Sequence, residues 1–133
     1  AARAGDNTVD SLTYSGTRYK IKLGDYAWYE SNSKGKTHEV GTKKANAYGL
    51  YDMSGNVGEW CWNWHSLNYD VETEGGSDPT GTSAGDFRVT RGGAWAYDSE
   101  SSSVSSRGNM LQCDRYPDVD FRVVRSNVDW LFD

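Results

Sequence analysis

The sequence predicts a loop-rich fold of short antiparallel strands, and three observations carry that expectation. Fifteen glycines against 2 prolines suit a chain that needs many positions of positive φ. The strand-like runs are short and bounded by turn residues, and no window holds a 3.6-residue apolar period beyond the first few residues. Aromatics make up 14% of the chain, with 6 Trp and 9 Tyr. The core should therefore rest on a few large rings, each burying roughly 150–250 Å².

In chain order, the expected strands are residues 26–29, 57–64, 87–90, 104–107 and 120–124. Each combines aromatic or β-branched residues with a neighbouring turn signal. Turn clusters at 30–36, 52–56 and 74–85 separate them. The last of these, ending Thr80-Gly-Thr-Ser-Ala-Gly85, reads as a surface loop and not a linker.

A length of 133 residues is enough for one domain with a modest core and too short for two. Residues 1–49 carry 8 Lys and Arg against 5 Asp and Glu, while residues 50–133 carry 6 against 14. An acidic C-terminal part argues against nucleic acid as a partner, because phosphate binding needs a cationic footprint. No apolar run approaches the roughly 20 residues that span a bilayer, so membrane insertion by this segment is not expected. Cys61 and Cys113, the only cysteines, read either as one disulfide or as two free, partly buried thiols.

Three motifs organise the chain: Asn46–Trp64, which holds two acids and three tryptophans, then Arg91-Gly-Gly-Ala-Trp95, then Phe121-Arg-Val-Val-Arg125. Together they resemble the formylglycine-generating enzyme-like domain, the sulfatase-modifying-factor version of the C-type lectin fold, from about Trp28 to Arg125. The resemblance implies an α+β, loop-rich fold, with residues 1–133 forming the C-terminal part of a single such domain.

Asp52 and Glu59 bracket the turn Met53-Ser54-Gly55-Asn56. The matching loop of the enzymes binds calcium, a hard cation that gathers six to eight oxygens. Carried over by position, its ligands here are the side chains of Asp52 and Glu59 and the carbonyls of Gly55 and Val57. A second reading fits the same residues: Asp52 makes an Asx turn and Glu59 pairs with Arg91 or Arg122. The family usually has Trp where this chain has Gly58, which loosens the loop.

Trp60, Trp62 and Trp64 recur at a spacing of two, so alternation puts all three on one face of a strand, where they read as core in preference to an exposed carbohydrate or base platform. Phe121 is expected to join them. Arg91 or Arg122 should bond to backbone or acid beneath the Gly92-Gly93 turn.

The two copper-binding cysteines of the formylglycine-generating enzymes fall at Tyr97 and Ser102. Neither supplies the thiolate that Cu(I) requires, so no copper is expected. His38 and His65 are too few for the iron sites of related enzymes, and His38 reads as a solvated residue of a basic loop.

Residues 96–120 keep framework positions (Arg107, Arg115, Phe121-Arg122) around segments with no core periodicity. That pattern suits a binding surface on a rigid scaffold. It also resembles the variable region of retroelement-diversified proteins, which use this fold and randomise asparagine-encoding codons. The expected ligand contacts are Ala96, Tyr97, Asp98, Asn109, Leu111, Asp114, Tyr116 and Asp118. Met110, Gln112 and Asp120 depart from the codon pattern, so ordinary divergence explains the region equally well. The expected function is thus non-catalytic binding of a protein or surface glycan, at the cell surface or outside the cell. An enzyme or accessory of the sulfatase-modifying group is the alternative.

Overall fold

A computed structural model describes residue 2, residues 13–66 and residues 83–124. Most of the 74–85 turn cluster and Arg125 lie outside them. The described strands are β1 (Gly58–Trp64), β2 (Phe87–Arg91), β3 (Gly108–Leu111) and β4 (Val119–Asp120), and 3-10 helices cover Lys20–Asp25 and Glu100–Ser102. They form a sheet in the order β3-β2-β1-β4. β2 is antiparallel to both β1 and β3, but β4 runs parallel to β1, with Gly58 opposite Val119 and Glu59 opposite Asp120. The small mixed sheet within long loops is the loop-rich, C-type lectin-like architecture that the sequence predicts.

Three expected strands are corrected. Residues 26–29 are not a strand. The N–H groups of Tyr26 and Ala27 both turn back to the Leu23 carbonyl, and the Asn32 side chain takes the Tyr29 N–H and the Ala27 carbonyl. A backbone already bonded locally has nothing left for a ladder. Residues 104–107 are also irregular: Val104 N–H donates to Thr13 O and Ser106 N–H closes a turn on Ser103 O. The strand begins only at Gly108. The run 120–124 shrinks to Val119–Asp120, because Arg122 is drawn out of the sheet to Glu59.

The apolar core is small. Leu23 and Ala27 are fully buried beside Tyr14, with Tyr29 packed against them, and Val89 and Ala94 are buried at the sheet. Much of the remaining interior is polar, including Ser33, Ser54, Asn56 and Ser102. Buried polar groups must find partners, and here the partners are other loops. Ser15 N–H donates to Ser54 Oγ, which donates in turn to the Ser102 carbonyl. Asn56, at φ 64, joins four segments. Its amide accepts from His38 N–H and donates to the His38 carbonyl, while its N–H donates to Trp28 O and its C=O accepts from Trp95 N–H.

His38 is accordingly not the solvated residue expected. Its ring is half-buried, stacks on Trp28 with centroids 3.8 Å apart, and places Nε2 2.7 Å from Ser33 O.

The aromatic core expectation fails at two of four rings. Trp60 and Trp64 are half-buried, but Trp62 is 81% exposed and Phe121 69%. A spacing of two shares one face only in a regular strand, and the β1–β2 register shifts between Trp60 and Trp64. Arg88 lies over both Trp64 and Trp62, 3.5 and 5.1 Å from their centroids, so the exposed indole borders a guanidinium instead of a core. Phe121 turns outward where the chain leaves the sheet after β4. Cys61 and Cys113 are free thiols, with burial raising the pKa of Cys61.

Candidate functional site

The loop after β2 sets the geometry of the site. Gly92 and Gly93 take φ of 93° and 67°, which turns the chain sharply so that Ala94 is buried and Trp95 N–H reaches Asn56 O. Tyr97 follows with its backbone tied at both ends: its N–H donates to Ala94 O, and its C=O accepts from Glu30 N–H. The ring remains 42% exposed. Asn109 and Leu111 stand on β3, an edge strand, opposite Val89 and Phe87. At that spacing their side chains share one face, and both are exposed.

Of the eight expected contacts, Ala96, Tyr97, Asp98, Asn109, Leu111 and Tyr116 are exposed, Asp114 is half-buried, and Asp118 is buried at 8%. Asp118 therefore does not lie on the surface where the sequence puts it. Its carbonyl accepts from Gly58 N–H, and its carboxylate accepts from the Tyr97 hydroxyl. That hydrogen bond raises the Tyr97 pKa above 10.0, with burial and the charges of Asp118 and Tyr116 adding to the shift. Tyr116 is thus a neighbour of Tyr97. The Asp98 carboxylate is occupied locally, accepting from the N–H and hydroxyl of Ser101.

Tyr97 and Asn109 line a common cavity of about 240 Å³ between β2, β3 and the Gly92-Gly93 turn. Sequence reasoning misses Gly58, Thr90 and Arg107 on its wall and reads Arg107 as framework. The signal that could have found Gly58 is the lack of a side chain beside the Glu59–Trp64 run. Of Tyr97 and Ser102, the positions matching the copper cysteines, the first is partly exposed and the second fully buried.

The arginines meet the expectation set for them. Arg91 Nη1 donates to the carbonyls of Ser105 and Ser106. Arg122 forks onto both carboxylate oxygens of Glu59 and also donates to the carbonyls of Tyr51 and Asp52. This bears on calcium. The cation that gathers these oxygens is a guanidinium, and both Glu59 carboxylate oxygens accept from it. The Asp52 carboxylate points elsewhere: Oδ2 accepts from Gly41 N–H, and Oδ1 is buried with no hydrogen-bond partner among the described residues. Among those residues no group of three or more His, Cys, Asp or Glu is placed to hold a metal. Of the two readings of the loop, the structure shows the Glu59–Arg122 pair.

Comparison with known proteins places this geometry. Residues 1–127 match the sulfatase-modifying factor enzyme 1-like domain family. The chain is 35% identical over 139 aligned residues to the chaperone protein LppX of Paenibacillus barcinonensis, covering 94% of this chain and 45% of that protein. It is also 35% identical over 82 residues to the formylglycine-generating enzyme of Thermomonospora curvata, covering 59% of this chain and 27% of the enzyme.

Among solved structures, Treponema denticola variable protein 1 superposes with a TM-score of 0.79 at 43% identity, over 90% of this chain and 41% of that one. PvdO from Pseudomonas aeruginosa superposes with a TM-score of 0.70 at 28% identity, over 90% and 46%. The chain thus spans less than half the length of these relatives. No described helix is long and apolar enough to cross a membrane. A match over nearly the whole sequence, together with this sheet and its Arg-Gly-Gly turn, shows that the chain belongs to the sulfatase-modifying factor enzyme 1-like domain family.

Proposed function

We propose that this domain is a non-catalytic binding module whose 96–120 face contacts a protein or surface glycan. One observation carries the reading: exposed side chains stand on fixed backbone. Tyr97 is bonded fore and aft and Asn109 sits in a ladder, yet both side chains face a cavity open to solvent. Ordering costs are then largely met before a ligand arrives, which favours affinity. Tyrosines supply large amphipathic contact area with few rotatable bonds, and Tyr97 and Tyr116 provide two. The likeness to a Treponema variable protein supports a display role. Hydroxyls at Tyr97 and Ser102, where copper chemistry would need thiolates, weigh against the enzyme alternative.

The test is binding on arrays of glycans and of purified cell-surface proteins. The protein should retain at least one ligand that Tyr97→Ser with Tyr116→Ser loses, with stability changed by no more than about 0.5 kcal/mol, as for surface positions. Undiminished binding by the double variant would overturn the assignment of the face. Oxidation of a cysteine-containing sulfatase peptide by this protein would overturn the non-catalytic reading.

A further inference from the structure

Four glycines line the cavity beneath Tyr97: Gly58, Gly92, Gly93 and Gly108. Three have a structural reason to be glycine. Gly92 and Gly93 hold positive φ, and a Cβ on Gly108 would stand 2.6 Å from Thr90 Oγ1. Gly58 has neither reason. A Cβ there would meet only ordinary contacts, 3.6 Å from Asp118 O, 3.7 Å from Val119 Cγ2 and 3.8 Å from Gly93 O. Glycine weakens a strand, and Gly58 opens β1 with its N–H bonded to Asp118 O. A strand glycine often marks a bulge, a bend, or the close approach of another backbone or a ligand, and at Gly58 no neighbouring backbone stands closer than ordinary contact.

We propose that Gly58 is the floor of a pocket that receives an aromatic ring from the partner, a deepening that rests on the proposed binding role of the 96–120 face. The walls fit that occupant. Tyr97 offers a ring for edge or offset stacking, and Met110 a thioether that favours aromatic contact. Val119 contributes an apolar surface, while Thr90 and Arg91 contribute polar groups. The Arg91 guanidinium bonds only to neutral carbonyls among the described residues, so its charge remains available to a π face. An aromatic anchor buried in a central pocket is also how binding energy concentrates in protein interfaces.

The probe is 5-fluoroindole, followed by its fluorine NMR signal against the protein, Gly58→Ala and Gly58→Leu. Saturable binding should weaken about tenfold or more when the floor is raised by one methyl and vanish in Gly58→Leu. Gly58→Ala should melt no lower than the parent protein, and it decides the matter should Gly58→Leu fail to fold. Absence of saturable binding to the parent, binding undiminished in Gly58→Ala, or saturable binding of glutarate in place of the indole would each overturn the pocket. The array experiment separates the two proposals: ligand binding that is lost with the tyrosines but indifferent to Gly58→Ala sinks the pocket and leaves the face.

Discussion

Residues 13–57 and residues 96–120 are built from much the same residue types, Ser, Asn, Asp, Gly and Tyr, and use them in opposite ways. In the first region several polar side chains, Ser15, Ser33, Asn46, Ser54 and Asn56, point inward and fasten loops together. Ser54 joins Ser15 to the Ser102 carbonyl, Asn56 joins the His38, Trp28 and Trp95 segments, and Asn46 binds the N–H groups of Tyr48 and Leu50 and the hydroxyl of Ser15. In the second region the backbone is fastened and most of the side chains are released to solvent. Composition alone therefore says little about role. What separates scaffold from surface is whether the side chain or the main chain carries the hydrogen bonds.

The strongest way to break this comparison is at Asn56. Asn56→Ala removes two partly buried side-chain bonds, strands the His38 backbone groups, and leaves a non-glycine residue at φ 64. The expected loss is roughly 3 kcal/mol, read by urea denaturation. A loss near that of an exposed position would show that the loops are held by something else.

Arg122 comes next. Arg122→Ala removes the fork on Glu59 and two carbonyl bonds from a partly exposed site, at about 1–2 kcal/mol. If the guanidinium is the cation of this loop, EDTA should leave the melting temperature of the parent protein unchanged. A chelator-dependent fall, abolished in Glu59→Gln, would restore calcium to Asp52, Gly55, Val57 and Glu59.

A smaller effect sharpens the surface side of the comparison. The bond to Asp118 raises the Tyr97 pKa in the folded protein. Its contribution to stability is present below the ordinary tyrosine value and is lost as pH rises through the folded value. Asp118→Asn should bring the Tyr97 titration, followed by ultraviolet difference absorption, back toward 10.0. An unchanged titration would mean that Asp118 does not position the ring.

How far the sequence could be read follows from the same division. Strands β1 and β2 were legible to within a residue because aromatic and β-branched runs end at turn signals. The Arg-Gly-Gly turn was legible because only glycine holds its dihedrals cheaply. The core at Leu23 and the bonds of Asn56 were not, since no periodicity marks a side chain that bonds to a distant loop. Trp62 and Phe121 misled for a related reason: alternation assigns faces only in a regular strand, and a register shift in β1 and an arginine drawn out after β4 broke it. In the candidate site, exposure was readable at six of the eight positions. Asp118 was not, because its burial depends on β4 running parallel to β1.

The most direct test is a substitution scan read by protease resistance of the displayed protein across residues 13–66 and 83–124. Ala96, Tyr97, Asn109, Leu111 and Tyr116 should accept most amino acids, as should the exposed Trp62, while Ser54, Asn56 and Ser102 should accept almost none. Equal tolerance in the two sets, or a face less tolerant than the fastened loops, would contradict the division of this domain into a locked scaffold and a free binding surface.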